Sequence, residues 1–594
     1  MAEYQPPLRE YQFIYHELFD PARTQALPGC EEFDGDLVNA VLEEAGKLYT
    51  EVLLPLNRSG DEEGCHFEDG EVRTPAGFKQ AYQQYVEAGW TGFACDPEYG
   101  GQGLPNAVTL LVQEMLCACN LSFGMYPGLS HGAYDAIEAH GDDELKALYL
   151  PKLVDGSWSG TMCLTEPQSG TDLGLVRTKA VPQEDGSYKL TGTKIFISAG
   201  EHDLTENIVH LVLARLPDAP AGIKGISLFV VPKFLPDANG EAGEGNGVSC
   251  GAIEHKMGIK ASSTCVMNFD DATGWLIGQP NKGMRAMFTF MNTARLGVGV
   301  QGIGIGDAAY QGAVAYARDR LQGRALKGPK SPDKPADSLL VHPDVRRMLL
   351  TQRAYVEGIR ALGSWIAREI DVYERSTDKA EAQAAEDLAA LLIPVFKAFG
   401  TDVGFDCANL GVQVFGGHGY IREHGMEQYV RDARITQLYE GTNGIQALDL
   451  VGRKMSAHFG RYMRRFFQPV AAYIEERQDN EQLAEFIQPL AKAFGRLQRA
   501  SAWIAQNGMG NPDEAAAASS DYLRLFGLTA LAYLWTRMAE VSLDKLDGEE
   551  RRFYQAKLDT ARFFMQRLLP QNSGLFSAIL AGSKSMMAFE DEAF

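Results

Sequence analysis

Apolar residues recur at helical spacing along most of the chain and at strand spacing in one central stretch. Between 36 and 153 they follow the helical period, as at Leu37, Ala40 and Val41. From about 160 to 278 the pattern changes to short β-branched or aromatic runs, such as YKLTGTKIFISAG and GISLFVVPKF, bounded by Gly, Pro and Asp. These runs predict the strands of a small β domain, with LPDANGEAGEGNG (235–247) as a solvated loop.

Helical spacing returns after Asn281. One long apolar stripe comprises Val345, Met348, Leu349, Val356, Ile359, Leu362 and Ile366. The glycines of RLGVGVQGIGIG (295–306) would each cost about 1 kcal/mol inside a helix relative to Ala, so they predict the close approach of another helix or of a ligand. Polar segments predict a loop at 323–338 and a break between helices at 507–520.

The pattern therefore predicts a mainly α protein with a central β domain. An N-terminal helical domain with an extension is expected over 1–160 and a middle β domain over 161–280. A helical-bundle domain over 281–456 and an additional C-terminal helical domain over 457–594 complete the prediction.

Composition narrows the classes of function. The formal net charge of −23 over 594 residues disfavours nucleic acid or an anionic membrane as the main partner. No run approaches 18 uninterrupted apolar residues, which predicts no transmembrane helix. The first residues lack the pattern of a signal or transit peptide, so we expect a cytoplasmic protein.

Cysteine and histidine spacing indicates no metal site. The nine cysteines form no CxxC pair, and an odd, sparse set in a large chain predicts free thiols in a reducing compartment. HExxH is absent, and one HxxE, His424 with Glu427, stands alone. No metal is therefore predicted.

The stretch TQLYEGTNGIQ (436–446) places Glu440 between two segments of helical periodicity. Gly441 breaks the pattern, and Thr442 is a plausible N-cap for the second helix, without a capping box because Ile445 occupies N3. A carboxylate here is either a solvated residue at a joint or a base that points into a cleft.

Four other stretches carry candidate chemistry, and each also has a structural interpretation. MCLTEPQSGTDLG (162–174) could cradle a flat polar heterocycle or form an ordinary loop. In TGTKIFISAG, Phe196 and Ser198 share one strand face at period two. VQVFGGHGY (412–420) could be a nucleotide loop or a helix C-cap turn. The arginines of YARDRLQGR (316–324) could bind a pyrophosphate or favour a helix C-terminus.

The order of these motifs is more specific than any one of them. CLTEPxSGTD, KIFIS, the Asn292-x-x-Arg295 helix, ARDRLQG, QVFGGHGY and YEGTNGIQ follow one another along the chain. Together, over roughly 75–455, they resemble the acyl-CoA dehydrogenase family of flavoenzymes. The additional C-terminal region is similar to that of the larger bacterial members. The resemblance implies a β-barrel-like middle domain and a four-helix bundle after it.

The resemblance implies an FAD site between the β domain and the third, helical domain, completed by a second subunit of a homodimer. The residues that match FAD-binding positions are Met162, Leu164, Thr165, Gly170, Thr171, Phe196, Ser198, Arg320, Gln322, Gln413, Gly416, Gly417 and Thr442. Phe196 and Ser198 stand where the family usually has Trp and Thr. Gly444 stands where it usually has Gln.

Glu440 matches the catalytic base of the family. The resemblance implies that it removes the α-proton of an acyl-CoA while the β-carbon passes a hydride to flavin N5, giving a trans-2-enoyl-CoA. The residues that match substrate positions are Thr171, Asn292, Arg295 and Gly441. Electron-transfer flavoprotein is the electron acceptor that the family implies.

The expected activity is oxidation of a medium- to long-chain fatty acyl-CoA in fatty acid β-oxidation. Three alternatives remain: oxidation of 3-methylthiopropanoyl-CoA, an acyl-CoA oxidase that passes electrons to oxygen, and a non-catalytic acyl-CoA-binding scaffold. Retention of Glu440 argues against the scaffold.

Overall fold

The computed structural model describes residues 4–594, which form two compact units. The first unit comprises the described residues up to Gly46, together with Pro105–Ala118 and Val298–Phe594. The second unit comprises Lys47–Leu104 and Cys119–Gly297. Each unit has its own buried apolar core.

Helices make up most of the chain, as their apolar periodicity predicts. The α-helices are α1 (Leu8–Gln12), α2 (Pro21–Gln25), α3 (Gly35–Leu48), α4 (Leu54–Glu63), α5 (Phe78–Glu87), α6 (Asn106–His140), α7 (Asp143–Val154), α8 (Gly283–Asp319), α9 (Pro343–Arg375), α10 (Lys379–Phe415), α11 (Met426–Thr436), α12 (Asn443–Asp449), α13 (Arg461–Arg477), α14 (Ala484–Gly510), α15 (Pro512–Leu543), α16 (Arg551–Phe563), α17 (Gln571–Ala581) and α18 (Lys584–Met587).

The strands lie between α4 and α8. They are β1 (His66–Glu68), β2 (Glu71–Arg73), β3 (Trp158–Cys163), β4 (Lys179–Pro182), β5 (Tyr188–Ser198), β6 (Asn207–Arg215), β7 (Ile226–Pro232), β8 (Phe234–Pro236), β9 (Ala242–Gly245), β10 (Val248–Ile253) and β11 (Thr264–Ile277).

The large sheet of the second unit closes on itself. Strand β11 pairs with β5 and β7, β5 pairs with β4, β4 pairs with β6, and β6 pairs with β7. This ring of pairings is a barrel, which leaves no free edge among its members. The inward side chains, including Leu190, Val212, Phe229 and Met267, form a buried apolar cluster. The predicted β-barrel-like domain is therefore present.

Two predicted breaks differ from the structure. The segment 235–247, expected to be a loop, forms the short antiparallel hairpin of β8 and β9. The break expected over 507–520 is confined to Asn511, whose side chain caps α15 by accepting from the N–H of Asp513. Pro512 occupies the first turn of α15, where a missing N–H costs nothing, so the alanine-rich residues after it are helical.

The glycines of 299–306 lie on α8 where it packs against other helices of the first unit, whereas a Cβ on Gly297 would meet no heavy atom within 4 Å. A Cβ on Gly302 would lie 2.7 Å from the carbonyl oxygen of Gly400 on α10, and one on Gly304 would lie 2.7 Å from that of Glu114 on α6. Of the two predicted explanations, close approach of helices therefore accounts for Gly302 and Gly304.

Two helical segments are apolar and long enough to cross a membrane by composition: α6 and the segment Lys379–Tyr420, which contains α10. In each, 83% of the most apolar window is buried inside the protein, which is the behaviour of core helices.

All nine cysteines are free thiols, and most are buried.

Candidate active site

Glu440 lies in the turn between α11 and α12, with its backbone in the left-handed region. The φ angle is +58° at Glu440 and +86° at Gly441. Glycine adopts this conformation freely, but a glutamate there stores strain of about 1–3 kcal/mol, which persists only where the surroundings impose it. Such strain is concentrated at functional sites, so the geometry favours the base over the solvated joint residue. Glu440 is half-buried.

Side chains from α10 and α12 hold this turn. The Gln446 amide donates to the carbonyl oxygens of Glu440 (3.1 Å) and Gly441 (3.3 Å). The Lys397 ammonium donates to the carbonyl oxygen of Gly441 at 2.9 Å. Thr442 caps α12 by accepting from the N–H of Ile445, as predicted. The carbonyl groups of Glu440 and Gly441 are thus both fixed by buried side chains.

The residue before Glu440, Tyr439, is half-buried. The Tyr439 hydroxyl donates to the side-chain oxygen of Gln301 on α8. Burial, together with the negative charge of Glu440 and the thiol of Cys117, raises the pKa of Tyr439 well above its ordinary value. Tyr439 therefore stays a neutral hydrogen-bond donor at physiological pH.

The loop 162–171 of the second unit is anchored by a buried ion pair beneath it. Glu166 lies 2.9 Å from the ammonium of Lys194, and it accepts from the Thr178 hydroxyl (2.6 Å) and the Arg177 N–H (2.7 Å). Although burial opposes ionisation, Lys194 and these donors lower the pKa of Glu166 to about 2. Lys194 also donates to the Leu164 carbonyl oxygen, so the loop is held from inside.

Phe196 and Ser198 lie at the end of β5, where Phe196 falls within a register shift in the pairing with β11 and Ser198 follows it. Phe196 has φ of +59° and an exposed fraction of 59%, whereas its neighbour Ile197 is buried. An exposed phenylalanine in a strained backbone position is unusual for a structural residue. Ser198 is half-buried. Within the same unit, Gly170 and Thr171 are exposed, and Met162, Leu164 and Thr165 are half-buried.

The arginines after α8 have different roles. Arg324 donates to the carbonyl oxygens of Ser331 and Lys334 and pairs with the buried Asp337, so it is a structural residue of the loop. The N–H groups of Ala325, Lys330 and Ser331 also donate to Asp337, and these hydrogen bonds lower its pKa to about 2. The predicted ligand residues of this loop, Arg320 and Gln322, are exposed.

The GGHGY segment is both a helix terminus and an open surface. Gly416 ends α10 with φ of +61° and ψ of −137°, a conformation that glycine adopts freely but that is not the left-handed one of a usual C-cap. A Cβ on Gly416 or Gly417 would meet no heavy atom within 4 Å, and Gln413 is exposed. The His418 ring is hydrogen-bonded to the Tyr316 hydroxyl (2.8 Å), which gives this histidine a structural role.

Asn292 and Arg295 lie three residues apart on α8. Asn292 is exposed, whereas Arg295 is 5% exposed. In the first unit, Glu440, Gly441 and Thr442 lie on one turn beside Lys397 of α10, and Gln413, Gly416 and Gly417 lie at the C-terminal end of the same helix. The second unit brings Leu164 and Thr165 beside the end of β5, since the Thr165 carbonyl accepts from the N–H of Ile195.

Three supporting residues were not predicted from the sequence. They are Lys397, Gln446 and Lys194, each with an exposed fraction of 0%. A lysine within an apolar helical run, as in LLIPVFKAFG, is the one signal that could have indicated the first of them, since Lys is rarely fully buried unless it is paired.

Among residues 4–594, no group of three His, Cys, Asp or Glu side chains could hold a metal ion. Glu427 of the HxxE sequence pairs instead with Arg431.

The exposed residues at the predicted positions fit the chemical parts of FAD. A guanidinium at Arg320 suits a pyrophosphate, and open glycines at 170, 416 and 417 leave the backbone accessible to a large ligand. Hydroxyls at Thr165, Thr171 and Ser198 can bond the polar edge of a flavin ring, and Phe196 offers an apolar wall. The buried Oε1 of Gln446 has no hydrogen-bond partner among the described residues, which leaves an acceptor beside the Glu440 turn for a bound group.

Sequence comparisons match four family models to consecutive parts of the chain. The models described as the N-terminal, middle and C-terminal domains of acyl-CoA dehydrogenase match 39–157, 161–272 and 281–456. The model described as acetyl-CoA dehydrogenase C-terminal like matches 466–590. A relative from Ruegeria pomeroyi, 3-methylmercaptopropionyl-CoA dehydrogenase, is 44% identical over 98% of this chain and 99% of its own.

Solved structures share the fold. Caenorhabditis elegans ACDH-11, in complex with C11-CoA, has 19% identity and a TM-score of 0.79, covering 99% of this chain and 94% of its own. A Bacillus anthracis acyl-CoA dehydrogenase complexed with FAD has 22% identity and a TM-score of 0.71, covering 98% and 92%. The predicted fold, with helical, β and helical domains and an additional C-terminal helical region, is confirmed.

Proposed function

The chain belongs to the acyl-CoA dehydrogenase family, and from that premise we propose that it oxidises a short acyl-CoA, 3-methylmercaptopropionyl-CoA (that is, 3-methylthiopropanoyl-CoA). FAD is its cofactor. The observation that carries the proposed mechanism is the strained, clamped turn at Glu440. A carboxylate held in this way suits one task, removal of a proton at a defined atom.

We propose that Glu440 takes the α-proton of the thioester. This proton is weakly acidic, so its removal needs a carboxylate within hydrogen-bond reach in a site from which water is excluded. The backbone N–H of Glu440 would polarise the thioester carbonyl, and the negative charge that develops on that oxygen is stabilised by such a donor. Bound FAD supplies the acceptor for the β-hydrogen and two electrons, so that the substrate becomes a trans-2-enoyl-CoA.

The remaining site residues would bind rather than react. We propose that Arg320 and Gln322 contact the pyrophosphate and adenosine parts of FAD, and that Gln413, Gly416 and Gly417 contact its adenine side. The residues proposed for the flavin ring are Met162, Leu164, Thr165, Gly170, Thr171, Phe196, Ser198 and Thr442. Substrate contacts are proposed for Thr171, Asn292, Arg295 and Gly441.

The identity of the substrate rests on the comparisons. Identity of 44% across nearly the whole of both chains supports 3-methylmercaptopropionyl-CoA better than the medium- to long-chain fatty acyl-CoA expected from the resemblance. A thioether in the acyl chain is close to a methylene in size and polarity. The same two bonds, to one α-hydrogen and one β-hydrogen, are broken in both substrate classes.

Glu440→Gln tests the mechanism. The amide keeps the size of the side chain but cannot accept the proton, so turnover should fall by about 10²–10⁴-fold while the yellow holoprotein and acyl-CoA binding persist. Turnover is measured with an artificial electron acceptor, and binding is measured by titration of the flavin spectrum. The control is Glu423→Gln, at an exposed glutamate shortly before α11, and this variant should keep wild-type turnover. Near wild-type turnover in Glu440→Gln would refute the assignment.

A substrate panel tests the specificity. Values of kcat/KM are compared for 3-methylmercaptopropionyl-CoA, butanoyl-CoA, octanoyl-CoA and palmitoyl-CoA under identical conditions. The proposal expects the highest value for the methylthio substrate. A kcat/KM that rises with chain length to palmitoyl-CoA would restore the fatty acyl-CoA prediction instead.

The electron acceptor and the assembly are part of the same proposal. We propose electron-transfer flavoprotein as the acceptor, a homodimer as the assembly and the cytoplasm as the location, where free thiols stay reduced. Stoichiometric peroxide during aerobic turnover would identify an oxidase and exclude this acceptor. Light scattering of the holoprotein should give twice the mass of one chain.

A further inference from the structure

Lys397 is a fully buried lysine that the proposed reaction does not use. It lies on α10 with an exposed fraction of 0%. Its ammonium donates to the carbonyl oxygen of Gly441 (2.9 Å) and to the side-chain oxygen of Asn443 (2.8 Å). Both acceptors lie within three residues of Glu440, on the turn that carries the proposed base.

The network around Lys397 reaches both sides of the turn. The Asn443 amide donates to the carboxylate of Asp402 (2.7 Å), which also accepts from the side chain of Gln437 (2.8 Å). Thr401, one turn after Lys397 on α10, is hydrogen-bonded to Asn443. The residues before and after Glu440 are therefore tied to the same face of α10.

The physical effect is on two consecutive peptide groups. Gln446 binds the carbonyl of Glu440, and Lys397 binds that of Gly441, so the planes of both peptides are fixed. These planes set both backbone angles of Gly441, which has φ of +86°, and they hold the C-terminal side of Glu440, whose own φ is +58°. The direction of the Glu440 side chain follows from how its Cα is held between this clamp and the contact of Gln437 with Asp402. A left-handed glutamate next to a glycine would otherwise relax to an ordinary conformation.

We propose that Lys397 is a positioning residue for the proton-transfer step, acting through the Gly441 carbonyl on the orientation of Glu440. This inference rests on the proposed role of Glu440. The packing of α10 does not need the ammonium, because the close contact of Gly302 with Gly400 already sets the separation of α8 and α10. A hydrogen bond from a charged donor is stronger than one from a neutral donor, which suits a strained turn.

Lys397→Met tests the inference, because it keeps the length and apolar stem of the side chain and removes the donor. In the FAD-loaded protein, the rate constant of flavin reduction by acyl-CoA should fall by about 100-fold, as a misplacement of about 1 Å does. The Kd for acyl-CoA and the FAD content should stay within about twofold, since neither binds through this side chain. Lys397→Arg, which restores a charged donor, should recover part of the lost rate.

Two further measurements separate positioning from a general structural role. Amide hydrogen exchange, followed by mass spectrometry without substrate, should become faster over 437–446 in Lys397→Met and stay unchanged over α9. Thr401→Val removes a hydroxyl from the same network but leaves the Gly441 contact, so its reduction rate should stay within about threefold of wild type.

The outcomes decide between the two roles. Loss of FAD and of thermal stability in Lys397→Met, with a normal reduction rate per bound FAD, would overturn the positioning role. An unchanged reduction rate with unchanged exchange over 437–446 would overturn it as well. Full activity of Glu440→Gln would instead remove the proposed base, whatever Lys397→Met shows, so the two failures are distinguishable.

Discussion

At the scale of residues, the site is marked by strain and by buried charge. Two of the predicted site residues, Glu440 and Phe196, have φ near +58° although neither is glycine. A buried, hydrogen-bonded lysine lies near each of them. Lys397 contacts the turn that carries Glu440, and Lys194 precedes Phe196 by two residues on β5. Buried ammonium groups are costly unless they are bonded, so these lysines hold the backbone in defined positions.

The Glu166–Lys194 pair gives a prediction at this scale. Glu166→Gln leaves the buried ammonium of Lys194 without its counter-ion, so the free energy of unfolding should fall by about 3–5 kcal/mol at pH 7. Because the pKa of Glu166 is lowered to about 2, the pair stabilises the fold fully above the ordinary carboxyl pKa of 4.5. This contribution is lost as the pH falls from about 4.5 through 2.

Urea unfolding of the holoprotein at several pH values measures the difference. The difference in the free energy of unfolding between wild type and Glu166→Gln should become smaller below pH 4.5. At pH 7 the variant should retain less FAD than wild type. The exposed Glu184→Gln serves as the control and should change stability by less than about 0.5 kcal/mol. A gap that is the same at pH 3 and pH 7 would contradict the role of the ion pair.

At the scale of elements, glycines decide how helices pack in the first unit. On α8, Gly302 lies against the Gly400 carbonyl of α10, and Gly299 lies against the Phe396 ring. The same α10 carries Lys397 within this contact region, three residues before Gly400. The close approach of α8 and α10 therefore belongs to the scaffold on which the Glu440 turn is held.

Gly302→Ala should destabilise the protein, because the added methyl group would lie 2.7 Å from a backbone oxygen. Overpacking of this kind costs about 1–3 kcal/mol. Gly297→Ala is the matched control on the same helix, since a Cβ there meets nothing within 4 Å. That substitution should be neutral or raise stability by up to about 1 kcal/mol. The urea midpoints of the two variant holoproteins measure this difference in stability. Equal destabilisation by both substitutions would contradict the role of the contact between Gly302 and Gly400.

At the scale of the whole molecule, the C-terminal helices belong to the core of the first unit. The indole N–H of Trp535 on α15 donates to the Ala354 carbonyl of α9 at 3.1 Å. The ammonium of Lys557 on α16 pairs with Glu357 of α9 (2.8 Å) and with Glu10 of α1. The helices after α12 thus pack into the same compact unit as α1 and α9.

A chain that ends at residue 456 should therefore fail to fold on its own. It would expose the apolar face of α9 that Trp535 covers and leave Glu10 and Glu357 buried without Lys557. Size-exclusion chromatography and FAD absorbance of the truncated protein measure the result, with the full chain as the control. A monodisperse, yellow truncated protein would show that the C-terminal helices are dispensable.

The sequence by itself determined most of the helices and most strands of the β domain, because these segments carry an apolar period of their own. It also determined the family, because six motifs occur in one order. Only the tertiary structure shows the strained turn on which the proposed role of Glu440 rests, since a left-handed backbone angle and its clamp depend on residues such as Lys397, 43 positions away in the sequence. The hairpin of β8 and β9 and the role of Arg324 were decided in the same way. Hydrogen bonds between distant residues leave no periodic signal, so a local pattern does not reveal them.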